Sequence, residues 1–502
     1  MRRYILVIDQ STLLSQAMVF DTEQNIVGMG KMELTQHEPQ RGWVEQVPEE
    51  IWATCLWACK TALRKAGITA AELAGIGITN QRATTVIWDR ATGKAIYNAV
   101  VWRDQRTAGD CIALGSPAAK EMVICRTGLL IHPYFSASKI KWILDHVEGA
   151  RERAERGELA FGTIDSFLIH RLTGGKVHAT DATNASQTIL FDIATNQWDA
   201  ELLELFGVPA ALLPEVKDSA DDYGKSDAQV LGAAVPILGV VGNQQSALIG
   251  QACFAPGMLK STFDAHCFAL LNTGDDIVRS QHRLLSTIAY RLEGKSTYAL
   301  EGAIVMVGGS LQWLHDDLDI IEQWDQVEKM AAASDPAQPI YLVPAFVGAG
   351  SDWRETEARG ALFGVSRGAR RHDLVRAALE AVGYQSHDLI ETMREDWGGS
   401  GEIVIRVDGT MIASDWTMQF LADITGIVVD RPPMADSTAL GAAWLAGWRA
   451  GLWPDAAGFA ARRVTERRFE PGMDAELRRT KLLGWRDAVK RTRPDAGGNS
   501  YR

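Results

Sequence analysis

Hydrophobic and polar positions alternate in short blocks along the first eighty residues of the chain. Apolar runs at 5–8, 17–20 and 26–34 are separated by polar turns, and this pattern predicts three strands. Apolar positions then recur at helical spacing over 48–66, and a buried strand is predicted over 73–79. Strands followed by a helix and a further strand are typical of an α/β domain.

A second block, from residue 235 to residue 271, has a similar order of elements. The pattern predicts a strand at 237–241, a helix at 245–253 and strands at 259–262 and 268–271. We interpret the two blocks as copies of one unit and predict a duplicated α/β fold around a central cleft.

Polar pairs follow two of the predicted strands and are candidates for a site at the cleft. Asp9 and Gln10 follow the first strand, whereas Asn243 and Gln244 follow the strand at 237–241. Ligands of such sheets bind beyond the carboxyl ends of strands. An Asp at position 243 could accept a proton from a substrate hydroxyl, but an Asn has no ionisable oxygen.

Length and charge limit the classes of function. A chain of 502 residues predicts at least two large domains, and we place them at 1–248 and 249–492, with a polar tail at 493–502. The net charge is −12 and there is no long basic block, so nucleic acid is not an expected partner.

Compartment and membrane association follow from the same composition. No apolar run is long enough to cross a bilayer, so we expect no membrane partner. The six cysteines show no metal-site spacing, which favours a reduced, cytoplasmic protein. Cys55 and Cys59 lie four residues apart on the predicted helix, and we expect them to pack in the core.

Several segments, spread over nearly the whole chain from Tyr4 to about Arg491, resemble the FGGY carbohydrate kinases and most closely their glycerol kinases. The resemblance implies two actin-like, ribonuclease-H-like domains, an N-terminal polyol-binding one and a C-terminal one on the nucleotide side. It also implies phosphate transfer from MgATP to a polyol hydroxyl, and a homo-oligomer, a dimer or a tetramer. The matching segments are 77–82, 134–146, 298–303, 360–380 and 437–443.

On the polyol side the match to the family is partial. Asn243 stands at the position of the family's catalytic Asp, and Ala83 replaces a glutamate. Asp9 matches a metal-associated Asp of the family and is a weak candidate for Mg²⁺. The substrate-binding positions implied by the resemblance are Arg82, Ala83, Trp102, Tyr134, Phe268 and Gln244.

On the nucleotide side the resemblance implies a first phosphate loop at 9–16, a second at 262–268 and an adenosine loop at 408–415, and these loops lack donors and glycines that the family has. Leucine side chains cannot stabilise an anion, and each charge-assisted hydrogen bond that is missing weakens binding by roughly 1.5–3 kcal/mol. Asp264 would place a negative charge where a triphosphate should lie. The positions of this degenerate nucleotide site, in which Gly308 and Gln312 are retained, are Ser11, Thr12, Leu13, Leu14, Gln16, Asp264, Ala265, Gly308, Gln312, Gly409 and Thr410.

These departures predict a catalytically impaired pseudokinase with a regulatory or ligand-binding role that retains a small-polyol pocket. One alternative is a divergent but active sugar or polyol kinase. The other is different chemistry in the old cleft, around Asp9, Asp264 and His266. The resemblance implies Mg²⁺ and ATP as cofactors, but the altered loops argue against their binding.

Overall fold

The structure is a computed structural model. It describes residues 3–264, 266–304, 307–336, 338–345, 359–399, 403–433 and 436–492. Ala265 and the predicted tail at 493–502 lie outside the described residues. No helix in the described part of the chain is both long and apolar enough to cross a bilayer.

Five strands of the first half form its main sheet, in the order β3-β2-β1-β5-β13. Strands β1, β2 and β3 are antiparallel neighbours, and β5 and β13 run parallel to β1. The strands of this half are β1 (Tyr4–Gln10), β2 (Leu14–Phe20), β3 (Ile26–Glu33), β4 (Glu45–Gln46), β5 (Leu73–Asn80), β6 (Val86–Asp89), β7 (Ala99–Val100), β8 (Leu159–Gly162), β9 (Ala179–Asp181), β10 (Phe191–Asp192), β11 (Gln197–Trp198), β12 (Glu215–Lys217) and β13 (Ile237–Gly242).

The second half repeats this sheet. Its order is β16-β17-β15-β14-β20-β21-β22, and the five central strands have the same order and directions as those of the first sheet. The prediction of a duplicated α/β fold is therefore confirmed. The strands are β14 (Leu259–Phe263), β15 (Cys267–Gly274), β16 (Leu285–Leu292), β17 (Lys295–Ile304), β18 (Tyr341–Val343), β19 (Ala361–Phe363), β20 (Ile405–Asp408), β21 (Val429–Arg431) and β22 (Arg467–Phe469).

The predicted start of the second copy was wrong. Strand β13 is the last strand of the first sheet, because Ile237 pairs in parallel with Ile76 of β5. The second copy opens at β14, so the structural counterpart of the Asp9 turn is the turn at Asp264 between β14 and β15. Asp9 and Asn243 instead follow strands of one sheet, on either side of β5.

Helices cover both faces of the first sheet. Leu6 and Ile8 pack towards α1 together with Cys55 and Cys59, which confirms the core packing of these cysteines. The helices are α1 (Pro48–Ala66), α2 (Ala108–Leu114), α3 (Pro117–Thr127), α4 (Ser136–His146), α5 (Ala150–Glu155), α6 (Ile164–Leu172), α7 (Ala182–Ala185), α8 (Ala200–Phe206), α9 (Ala228–Leu231), α10 (Asn243–Gly250), α11 (Gly309–Asp316), α12 (Val327–Ala333), α13 (Arg371–Trp397), α14 (Asp415–Thr425), α15 (Ser437–Arg449), α16 (Ala456–Arg462) and α17 (Ala475–Thr492), with 3₁₀ turns at Ala70–Glu72, Ala210–Leu212, Trp324–Gln326 and Thr410–Ala413.

Helix α10 lies against α15 at very short range, and this contact fixes the start of α10. A Cβ on Gly250 would lie 1.9 Å from the carbonyl oxygen of Ser437, and one on Gly441 would lie 1.9 Å from that of Ser246. The helix begins at Asn243, two residues before the predicted start at 245, and it ends at Gly250 rather than at 253. The first turn of α10 therefore carries Asn243 and Gln244.

Candidate active site

Asn243 is the first residue of α10 and is held by local hydrogen bonds. The preceding Gly242 N–H donates to Thr183 Oγ1 at 2.9 Å, which anchors the strand end. Asn243 Oδ1 accepts the backbone N–H of Gln244 at 2.9 Å. The remaining polar group of Asn243 is its Nδ2 amide, which can donate a hydrogen bond but cannot accept a proton.

Arg82 forms a buried ion pair across the two halves of the molecule. Its Nη1 and Nη2 donate to Glu301 Oε2 and Oε1 of β17, both at 2.6 Å, while Arg82 is 2 % exposed. Burial works against the charge, but Glu301 and the Tyr134 hydroxyl outweigh it and raise the pKa of Arg82. Sequence reasoning missed Glu301, although an acidic residue inside an apolar strand requires a buried partner.

The aromatic wall of the predicted polyol pocket is assembled beside this ion pair. The rings of Trp102 and Tyr134 are 5.3 Å apart, and Trp102 Nε1 donates to Thr12 Oγ1 at 2.9 Å. Ala83 is buried, and its backbone lies in the left-handed region with a φ of 60°. Its methyl group offers no hydrogen-bond acceptor to a substrate hydroxyl. Phe268 lies on β15, in the second half.

Lys260 is a buried cation that sequence reasoning also missed. It lies on β14 with no exposed surface, and its Nζ donates to Gln244 Oε1 at 2.5 Å and to Thr262 Oγ1 at 2.7 Å. Burial lowers the pKa of Lys260, whereas the Asp408 carboxyl opposes that effect. Lys260 thus joins the first turn of α10 to the strand that leads into the second predicted phosphate loop.

Asp9 has one carboxyl oxygen available for a ligand. Its Oδ2 accepts from Gln16 Nε2 at 3.3 Å, while the buried Oδ1 has no partner among the described residues. Burial, followed by the neighbouring Asp436, raises the pKa of Asp9 to about 8. The described residues contain no group of three acidic, His or Cys side chains placed to hold a metal ion. Asp9 therefore fits Mg²⁺ that takes its other ligands from phosphate and water.

The first predicted phosphate loop is a tight turn between β1 and β2. The Ser11 backbone N–H donates to the Leu14 carbonyl at 2.8 Å, and the Ser11 hydroxyl donates to the same oxygen at 3.1 Å. Leu13 is 62 % exposed at the tip of the turn. This surface offers an apolar side chain where a phosphate would need donors.

The second predicted loop is hydrogen-bonded to the adenosine loop through Asp264. Asp264 Oδ1 accepts from the Thr410 backbone N–H at 2.8 Å and from Thr410 Oγ1 at 2.9 Å. Gly308 N–H donates to the Asp264 carbonyl at 3.2 Å, and the Gly308 carbonyl accepts from the Gln312 N–H at 3.0 Å. The Asp264 carboxylate thus already accepts the N–H and the hydroxyl of Thr410, two donors that a nucleotide could otherwise use.

The structure gives little support to different chemistry around Asp9, Asp264 and His266. The Asp264 carboxylate is directed to Thr410, and His266 Nδ1 is buried without a partner among the described residues. Gly409 is required by the local backbone, because its φ is 98° and a Cβ there would lie 2.4 Å from the Phe263 carbonyl oxygen. Two of the predicted site residues nevertheless make direct contacts between the two halves, Arg82 with Glu301 and Gln244 with Lys260.

The sequence matches two domain profiles of one family. Residues 4–250 match the N-terminal domain and residues 259–450 the C-terminal domain of the FGGY family of carbohydrate kinases. The chain belongs to the FGGY family. This match confirms the resemblance drawn from the segments, and it accounts for the duplicated sheet.

Individual FGGY relatives are named glycerol kinases. The chain is 57% identical to the glycerol kinase of Rhizobium rhizogenes over 491 residues, which is 97% of this chain and 99% of that protein. It is 56% identical to the glycerol kinase of Rhizobium meliloti over 490 residues, 97% of this chain and 99% of that protein. The structure of Plasmodium falciparum glycerol kinase with ADP superposes with a TM-score of 0.92 at 33% identity, covering 97% of this chain and 98% of that one. These relatives confirm the predicted two-domain actin-like fold.

Proposed function

We propose that the chain is a divergent polyol kinase that transfers the γ-phosphate of MgATP to a hydroxyl of glycerol or a related polyol, slowly. The observation that carries this proposal is the identity of 57% to a named glycerol kinase over 97% of the chain. Arg82, Trp102 and Tyr134 support it because they lie against one another, and Gln244 precedes Gln245, which accepts a hydrogen bond from Arg82.

The missing carboxylate at position 243 is compatible with slow transfer. A general base contributes roughly 10²–10⁴-fold to rate. Phosphoryl transfer depends mainly on positioning and on electrostatic stabilisation of the phosphate. Lys260 and Arg82 remain as buried cations near the first turn of α10. An Asn in place of an Asp at position 243 therefore lowers the rate without removing every contribution to catalysis.

The second candidate is the pseudokinase, a binding or regulatory protein without phosphotransfer. The observation that favours it is the Asp264–Thr410 hydrogen bond, together with the exposed Leu13 in the first loop. Both features weaken phosphate binding rather than proton transfer. The relatives' names favour the active kinase, so we rank the pseudokinase second.

Nucleotide titration and turnover separate the two candidates. MgATP is titrated by calorimetry with and without glycerol, and product is followed by a coupled assay. The kinase predicts ATP binding and a slow turnover that requires both substrates. An absence of ATP binding at millimolar nucleotide overturns the kinase and leaves the pseudokinase.

We also propose the domain division at 1–248 and 249–492 and an assembly into a dimer or a tetramer. The division is consistent with one five-stranded core in each half. Limited proteolysis is expected to cut the chain first near residues 249–256. Light scattering is expected to give a mass two or four times the 54.9 kDa of one chain. A monomeric mass would contradict the proposed assembly.

A further inference from the structure

Three polar side chains around the predicted polyol pocket each accept one hydrogen bond from a fixed donor of the protein. Asn243 Oδ1 accepts the Gln244 N–H at 2.9 Å, and Gln244 Oε1 accepts from Lys260 Nζ at 2.5 Å. The Tyr134 hydroxyl oxygen accepts from Arg82. Each of these donors is itself fixed, either by the start of α10 or by burial.

The fixed donors determine which atoms remain for a ligand. Lys260 offers only donors, so the amide oxygen of Gln244 must face it and the Nε2 group must face away. The backbone N–H sets the orientation of Asn243 in the same way. In the described part of the chain, neither Asn243 Nδ2 nor Gln244 Nε2 has a hydrogen-bond partner. The Tyr134 O–H is a third group able to donate.

Charges around these donors do not oppose an anion. The Glu301 carboxylate is used by Arg82, and that of Asp408 lies near Lys260. Position 83 is an alanine, and the eight-residue helix α10 directs its positive N-terminal end towards the same place.

We propose that the pocket prefers a hydroxy compound that carries an anionic acceptor group, either a carboxylate or a phosphate, over a neutral polyol. This inference rests on the proposed function in placing the substrate beside Asn243 and Gln244. A neutral polyol needs acceptors as well as donors to satisfy its hydroxyls; the acceptor oxygens of these side chains each already hold one hydrogen bond, whereas their donors are unused among the described residues. An oxyanion uses donors alone.

Calorimetry without nucleotide tests the preference, with glycerol, glycerate and glycerol phosphate as the three probes. We expect glycerate to bind at least tenfold more tightly than glycerol, whereas glycerol phosphate, the product of the proposed reaction, is the control for product binding. Asn243→Asp should weaken the binding of glycerate by at least tenfold. Gln229→Glu adds the same charge at an exposed position of α9, and it should leave the binding of that anion unchanged. If Asn243→Asp does not fold, Gln244→Glu should act in the same direction while it keeps an acceptor for Lys260.

The outcomes are distinguishable from those of the kinase assay. Tighter binding of glycerate than of glycerol supports the inference. Glycerol phosphate is the product of the proposed reaction, so tight binding of glycerol phosphate alone, with glycerate no tighter than glycerol, overturns it. Glycerol binding as tight as that of both anions, or no binding of any probe, overturns it. Phosphate transfer to glycerol without anion binding overturns this inference alone. Anion binding without any phosphate transfer overturns the proposed function alone.

Discussion

Asn243 limits how much the chain's own side chains contribute to proton transfer. Asn243→Asp places a carboxylate at the start of α10, and we expect kcat to rise by roughly 10²-fold, the low end of the contribution of a general base. The KM for ATP should not change, because the phosphate loops are untouched. Steady-state kinetics with saturating polyol measure both values, and Asn243→Ala is the control that should show no gain. An unchanged kcat in Asn243→Asp would show that proton transfer is not limiting.

Asp9 couples stability to pH because its folded pKa is about 8, whereas an unfolded Asp titrates near ~3.9. The folded state holds the extra proton, so the stabilisation is complete below about pH 4 and is lost as the pH rises to about 8. The slope reaches at most about 1.4 kcal/mol per pH unit. Urea unfolding from about pH 5 to about pH 8 should show a falling free energy of unfolding, and Asp9→Asn should flatten it. Equal slopes in both proteins would contradict this assignment.

Among the loops, the Asp264–Thr410 contact determines access to the nucleotide side. Asp264→Ala removes the charge and frees the Thr410 N–H, so we expect the Kd for ADP to fall about tenfold, equivalent to about 1.4 kcal/mol. Calorimetry with MgADP measures it. Thr410→Ala removes one of the two hydrogen bonds but retains the aspartate, and should give a smaller change. Weaker ADP binding in Asp264→Ala would show that the aspartate assists the nucleotide.

The crossing of α10 and α15 determines the position of the first turn of α10. Gly441→Ala would bring a Cβ within 1.9 Å of the Ser246 carbonyl, and overpacking of this kind costs about 1–3 kcal/mol. Denaturant unfolding should therefore show a large decrease in stability. Gly109→Ala, in α2 with no atom within 4 Å of the added Cβ, is the matched control and should be neutral or slightly stabilising. Equal effects of the two changes would exclude close packing as the cause.

The sequence predicted the elements well where local signals are strong. Helix α1 has the predicted bounds, because Pro48 starts it and the left-handed Gly67 ends it. Strand β13 was assigned to the wrong copy, because its hydrophobic pattern does not reveal which strand it pairs with. The Asp264–Thr410 and Arg82–Glu301 contacts join residues 146 and 219 positions apart, so no local pattern could indicate them.

For the whole molecule, the fold matches that of its solved relatives, while the predicted site residues depart from the pattern that the family resemblance implies. The scaffold holds Arg82, Lys260 and Asp9 in buried positions. The loops predicted to meet the nucleotide carry Leu13 and Asp264. This division is what we expect of the proposed slow kinase, in which proton transfer and phosphate binding would both be weakened.

The central claim is that this cleft still transfers phosphate. The most direct measurement follows label from γ-phosphate-labelled ATP into glycerol and glycerate at saturating Mg²⁺, with purified protein at high concentration. The account predicts slow transfer above background that increases in Asn243→Asp and is abolished in Asp9→Asn. No transfer to either acceptor, in the wild type and in Asn243→Asp alike, would contradict it and establish the chain as a pseudokinase.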